Sequence, residues 1–180
     1  MRTSLRATLL IAVSLLISAC SSPPPPDTRP LGDVTAKPQE CGLISKQAIA
    51  RATGLDDFLA TGSQPGEHFD RCIVQELGSK EIGARLSITF DDPSAISLDE
   101  LESTKKHDKG ADLPADIGPG FTAQIEGKDG PSTYAYAWTS DASRRLSIWI
   151  TPGAAGRDHR ADAIEFVRQL KPILLSAPRQ

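Results

Sequence analysis

The sequence predicts a single α+β domain over residues 41–176, built as one antiparallel sheet of about five strands with two or three helices packed on it. Segments in which every second residue is apolar indicate the strands, and segments with apolar residues three or four positions apart indicate the helices. Along the chain a helix is followed by a strand hairpin, a second helix, three strands and a last helix. This order favours an antiparallel sheet.

Five strands are predicted, at 69–77, 82–90, 121–126, 133–139 and 145–151. The second has the clearest alternation, and its predicted inward residues are Ile82, Ala84, Leu86, Ile88 and Phe90. Residues 55–67 are predicted to form a loop. Short polar turns rich in glycine, aspartate or serine join neighbouring strands, as expected for hairpins.

The fourth strand carries an aromatic row of Tyr134, Tyr136 and Trp138. Such a row can bind a glycan or an acyl chain, but large aromatic residues at strand spacing more often belong to the core. We expect core packing against the alternating aliphatic residues of the next strand, Leu146, Ile148 and Ile150. Trp149 is expected on the opposite face, as the better candidate for an exposed or helix-covered contact.

Three helices are predicted from their end signals. Ser45 is a predicted N-cap of the first helix, which ends at Gly54. The second covers 97–107 and has charged residues on its solvent side. The third begins after Asp158 and runs to about Lys171, with an apolar stripe facing inward.

The start of the chain is organised as an export signal. Arg2 and Arg6 precede an eleven-residue apolar run at 7–17, which is too short for a membrane span of about 20 residues. The run ends at Ile17-Ser18-Ala19-Cys20. Residues 1–19 are therefore predicted to be a signal peptide. The alternatives are a plain signal followed by a chance cysteine, or an uncleaved anchor.

The apolar–small–small–Cys ending resembles the lipobox of bacterial lipoproteins. The resemblance implies that the Cys20 sulfur carries a diacylglycerol, that the signal is cut before Cys20, and that the new amino group is acylated, with palmitate as the expected chain. It implies a protein anchored by lipid on the extracytoplasmic face of the cell membrane, because two signals or chains give stable anchoring where one does not.

Residues 20–40 are predicted to be the lipidated cysteine and a Pro-rich tether. Six prolines lie between residues 21 and 40, and apolar residues are few. Such a segment favours extended polyproline II structure. A docking site for a proline-recognising partner is the alternative.

The cysteine count predicts one disulfide. The chain has three cysteines, so assigning Cys20 to lipid leaves Cys41 and Cys72 as an even pair in an exported protein. The alternatives are a redox pair or half of a metal site, with His68 near Cys72. Neither alternative has the CxxC spacing that is typical of it.

The opening of the domain also resembles a family. Cys41-Gly42-Leu43-Ile44-Ser45, a short Ala-rich helix ending at Gly54 and a second cysteine at Cys72 are similar to small actinobacterial lipoproteins of the mycobacterial Lpr type, as is the lipobox at Cys20. An aromatic residue often follows the second cysteine in that family, where this chain has Ile73-Val74. The resemblance implies no activity, because the family has none assigned.

Charge and residue composition narrow the range of possible functions. The formal charge of −3 argues against a nucleic-acid partner, which needs a basic surface. The three histidines, His68, His107 and His159, belong to no recognisable catalytic or metal motif. We therefore expect a non-catalytic binding or accessory module of the cell envelope, without cofactor or metal. Its partner would be a lipid, a glycan or an envelope protein.

Two other functions stay open at this point. One is an envelope hydrolase that uses histidine and carboxylate residues. The other is a purely structural envelope component without a ligand.

Overall fold

The computed structural model describes residues 27–78, 83–127 and 130–176. The predicted signal peptide, the predicted lipidation site Cys20 and the prolines at 23–26 lie outside the described residues. None of the helices within the described ranges combines the length and the apolar character needed to cross a membrane.

The described ranges contain three helices and nine strands. The helices are α1 (Lys46–Thr53), α2 (Leu98–His107) and α3 (His159–Leu174). The strands are β1 (Gln39–Glu40), β2 (Ile44–Ser45), β3 (Phe58–Gly62), β4 (Arg71–Glu76), β5 (Ala84–Asp91), β6 (Ala111–Asp112), β7 (Gly120–Gly127), β8 (Gly130–Trp138) and β9 (Arg145–Ile150).

The predicted α+β class and antiparallel sheet are confirmed. Within the described ranges, seven strands form one sheet in the order β3-β4-β5-β9-β8-β7-β6, and every neighbouring pair is antiparallel. The prediction of about five strands was too low, and β1 and β2 form a further two-stranded pair. The missed strands β3 and β6 are the two edges of the sheet. Both are short. β6 is exposed and β3 alternates only between half-buried and exposed residues, so neither carries a fully buried apolar alternation.

The helix ends follow the predicted capping residues. The Ser45 hydroxyl accepts a hydrogen bond from the backbone N–H of Ala48, and Gly54 ends α1 with a left-handed φ of 75°. Asp158 accepts from the backbone N–H of Ala161 at the start of α3. Each cap satisfies backbone groups that a helix end would otherwise leave without a partner.

The main core lies between one face of the sheet and helices α1 and α3. It contains the aliphatic residues of β5 and β9 together with the inner side of α3, and its fully buried members include Ile49, Leu86, Ile88, Leu146, Ile148, Ile150, Phe166 and Leu170. The alternation predicted for β5 is confirmed for Leu86, Ile88 and Phe90.

A disulfide joins Cys41 to Cys72, with their Cα atoms 5.5 Å apart, which confirms the predicted pairing. Cys72 is fully buried in β4, and Cys41 precedes β2. The bond therefore fastens the segment before α1 to the sheet.

The segment 27–36, which we call the N-terminal strap, differs from the predicted solvated tether. Leu31 and Val34 are buried in the main core. The backbone N–H of Val34 donates to the Gln169 side chain of α3 at 2.9 Å, and its carbonyl accepts from the N–H of Ser45 at 2.7 Å. Two apolar side chains and these backbone partners dock the strap in spite of its polar composition.

Candidate functional site

The second face of the sheet carries the aromatic residues, and we call it the aromatic face. Tyr134 in β8 lies directly opposite Trp149 in β9, whereas Ala135 lies opposite Ile148. The aromatic row therefore shares its face with Trp149. The prediction that the row faces the aliphatic residues of β9 was wrong, because alternation within a strand does not determine which face of its neighbour it joins.

Helix α2 covers one half of the aromatic face, over β7 and β8. Phe121, Tyr134 and Trp138 are buried there with Leu101 of α2. The Phe121 ring lies edge-on to Tyr134 at 5.8 Å and to Trp138 at 6.1 Å between centroids. The expected core role of the aromatic row is confirmed for Tyr134 and Trp138.

The other half of the aromatic face, over β3, β4 and β5, stays partly exposed, and we call it the open half. The register places Thr61 opposite Ile73 and Ile73 opposite Ser87. Ile73, Ser87 and Thr89 are half-buried, and Leu59 on β3 is 49% exposed. An antiparallel sheet can leave one face in water, so exposure alone does not make this surface a site.

Trp149 stands at the border between the two halves. Its ring stacks on Tyr134 with centroids 4.3 Å apart and planes 14° from parallel. Its cross-strand neighbour on the other side is Ser87. Because Tyr134 is fully buried, it holds the half-buried Trp149 in place as the wall of the open half.

Tyr136 continues this wall. The Arg145 guanidinium lies 5.3 Å from the centre of the Tyr136 ring and pairs with Asp91, with its Nε 2.9 Å from the Asp91 Oδ2. Burial raises the pKa of Tyr136 further above neutral pH, so its hydroxyl group stays protonated and can donate a hydrogen bond. The wall therefore ends at the ion pair between Arg145 and Asp91.

Hydroxyl groups form the floor beside this wall. Ser87 beside Trp149 and Thr89 are half-buried, whereas Ser147 between Tyr136 and Thr89 is buried and donates to the Thr89 carbonyl. The arrangement combines aromatic ring surface with hydrogen-bonding groups. It can therefore hold a ligand that presents flat apolar surface and hydroxyls together.

A second polar cluster lies at the covered edge of the aromatic face. The Asp108 carboxylate accepts a hydrogen bond from the buried Tyr134 hydroxyl and lies 2.7 Å from Nδ1 of His107. These two partners, Tyr134 before His107, lower the pKa of Asp108. The neighbouring residues therefore do form a base-and-carboxylate pair, which adjacency in sequence did not establish.

The histidines do not share a site. His107 is 87% exposed, His68 packs beside the Phe90 ring at 5.7 Å, and Nε2 of His159 lies 2.8 Å from the carbonyl oxygen of Ala154. Among the described residues, no group of three or more histidine, cysteine or acidic side chains is placed to hold a metal ion.

A groove of about 450 Å³ lies between the N-terminal strap and α3. Its polar groups are largely paired with one another. Arg157 binds Asp162 and Asp27, and Gln169 binds the backbone of the strap. These pairs join the strap to the helix.

Sequence reasoning missed the contacts that define these sites. The Tyr134–Asp108 and Arg145–Asp91 pairs join residues 26 and 54 positions apart. No local pattern signals such contacts, since they depend on strand order.

The comparison of this chain with protein-family models, with curated proteins and with solved structures finds no match in any of the three.

Proposed function

We propose that this chain is a lipoprotein anchored through Cys20 on the extracytoplasmic face of the cell membrane, and that its domain is a non-catalytic module that binds a glycan of the cell envelope. The observation that carries the binding role is the position of Trp149. It is stacked on a buried tyrosine and borders the partly exposed, hydroxyl-bearing half of the sheet. The resemblance to Lpr-type lipoproteins supports the location and assigns no ligand.

The disulfide supports the proposed location. Bonds of this kind persist in oxidising compartments and are rare in the cytosol. Together with the lipobox-like segment ending at Cys20, the Cys41–Cys72 bond favours export. The acidic composition supplies no attraction to anionic lipid, so the lipid at Cys20 would hold the protein at the membrane.

The chemistry of the open half favours a glycan over an acyl chain. An acyl chain laid beside Trp149 would remove the Ser87 and Thr89 hydroxyls from water without giving them partners, which costs free energy. A sugar ring offers C–H groups to the indole and hydroxyls to these side chains. Such a ligand satisfies both parts of the surface.

The binding role is tested with the Trp149→Ala variant and soluble fragments of envelope glycans, using titration calorimetry. We expect wild type to bind a fragment and the variant to lose at least tenfold in affinity, about 1.4 kcal/mol. Leu98→Ala is the matched control, because Leu98 is 44% exposed on α2 and lies outside the open half. Equal affinity of Trp149→Ala and wild type would contradict the proposed surface.

The anchor is tested with Cys20→Ala. We expect the variant to leave the membrane fraction, because the attachment point of the lipid is gone, while the disulfide and the fold stay intact. Retention of the variant in membranes after a high-salt wash would overturn the proposed anchor.

An envelope hydrolase remains the second candidate, since Asp108 orients an exposed His107 ring. Among the described residues, Asp108 is the only hydrogen-bond partner of that ring, and no nucleophile is paired with it. Incubation of wild type and His107→Ala with the same glycan fragments separates the candidates. The binding proposal expects equal affinity and no turnover, whereas a hydrolase cleaves the fragments and loses that activity in the variant.

A further inference from the structure

The chain enters the described domain at a fixed point, Asp27. Its backbone N–H donates to the carbonyl of Gly156 at 2.8 Å, and Asp27 forms a bridge with Arg157. Its carboxylate lies 3.1 Å from Nη1 of Arg157 and 2.8 Å from Nη2 of Arg29. These contacts tie the entry point to the loop that precedes α3.

Only seven residue steps separate Cys20 from Asp27. A fully extended chain covers at most about 3.6 Å per residue, so the two Cα atoms are at most about 25 Å apart. A lipid at Cys20 would therefore lie no farther than this from a residue that is bound to the fold.

We propose that the end of the domain around Asp27, Gly156 and Arg157 is its membrane-proximal surface, held beside the lipid layer that receives Cys20. This inference rests on the proposed lipid anchor. The partner of this surface is the outer surface of the membrane itself.

The proposal sets the direction of the sheet. Ile150 ends β9 six residues before Gly156, which binds the entry point, and it pairs with Leu86. Arg145 at the start of β9 pairs with Asp91 at the other end. The five steps from Arg145 to Ile150 place these ends about 17 Å apart. The Arg145–Asp91 pair and Tyr136 therefore face away from the membrane, toward ligands that extend through the envelope.

The test compares two exposed alanines at opposite ends of the sheet. Ala155 lies next to Gly156, and Ala95 follows Ser94, whose N–H donates to the carbonyl of Ser143 at the far end. Each is replaced in the full lipidated chain by an azide-bearing amino acid that carries a donor dye. The proteins are reconstituted in phosphatidylethanolamine–phosphatidylglycerol vesicles that contain a headgroup-labelled acceptor.

We expect energy transfer from position 155 to be roughly twofold or more above that from position 95, because the two positions lie beyond opposite ends of a strand about 17 Å long. An insert of about 20 Gly/Ser residues between Pro26 and Asp27 should remove most of the difference, because such a linker is long and flexible. Flotation of the same samples with the vesicles reports attachment separately.

The outcomes are distinguishable. A chain that floats with the vesicles but transfers equally from both positions overturns the orientation and leaves the anchor in place. A chain that does not float overturns the lipid anchor and, with it, the orientation.

Discussion

Arg157 and Asp162 form a bidentate ion pair in which both side chains are almost completely buried. Nε of Arg157 lies 2.8 Å from Oδ2 of Asp162, and Nη2 lies 2.6 Å from Oδ1. The side chains are 4% and 5% exposed. The remaining nitrogen, Nη1, reaches Asp27 and the carbonyl of Arg29, so one guanidinium joins α3 to the N-terminal strap.

Removal of this guanidinium is expected to destabilise the domain. Arg157→Ala leaves Asp162 buried without its cation, which typically costs about 3–5 kcal/mol. Urea unfolding should show a lower midpoint. Arg160→Ala, an exposed position in the first turn of the same helix, is the control and should unfold close to wild type. Equal midpoints for the two variants would contradict a stabilising role for the pair.

Acid is expected to weaken the entry point at Asp27. Hydrogen bonds from Arg29, followed by that from Arg157, hold the pKa of Asp27 below its usual 3.8. The resulting stabilisation is fully present above pH 3.8, and it is lost as the pH falls through the lower folded-state value. Urea midpoints measured from pH 7 downward should therefore fall less steeply in Asp27→Asn than in wild type. The same acid slope in both proteins would refute this assignment.

Both tyrosines of the chain are expected to resist ionisation in the folded state. Burial raises the pKa of Tyr134 and of Tyr136, and Asp108 adds to the effect at Tyr134. The stabilisation is present below the unfolded-state pKa of about 10, and it is lost as the pH rises through the higher folded values. Tyrosinate absorbance should therefore appear at higher pH in native than in urea-unfolded protein. Coincident titration curves would contradict the burial.

Loss of the disulfide is expected to cost about 3–4 kcal/mol. Cys41 and Cys72 are 31 residues apart, and closing a loop of this length restricts the unfolded chain by that amount in the entropy model. The comparison uses Cys41→Ser/Cys72→Ser in a chain whose Cys20 is also serine, against the Cys20→Ser parent. A thiol assay on the native parent provides the control and should find no free thiol. An unchanged urea midpoint in the double variant would refute the estimate.

Local sequence signals were sufficient to predict the helices that have a polar capping residue and the strands that have a regularly spaced apolar side. Ser45 and Asp158 cap their helices because short polar side chains satisfy free backbone N–H groups, whatever the rest of the fold does. Strand β5 could be predicted because its apolar residues alternate with polar ones, as expected for a strand with one side buried. The strap has the composition of a linker, whereas its contacts with the domain are made by Gln169 and Arg157, which lie far along the chain, so composition alone predicts a solvated tether.

The sequence by itself determined the α+β class, the capped helices, the pairing of Cys41 with Cys72 and the expectation of a lipid anchor at Cys20. Each depends on residue type and spacing along the chain. Only the tertiary structure decided that Trp149 stacks on Tyr134, that Asp108 joins Tyr134 to His107, and that Asp27 is bound to Arg157. These contacts follow from strand order, register and helix placement. Those features depend on many interactions between residues that are distant along the chain, so no local sequence pattern predicts them.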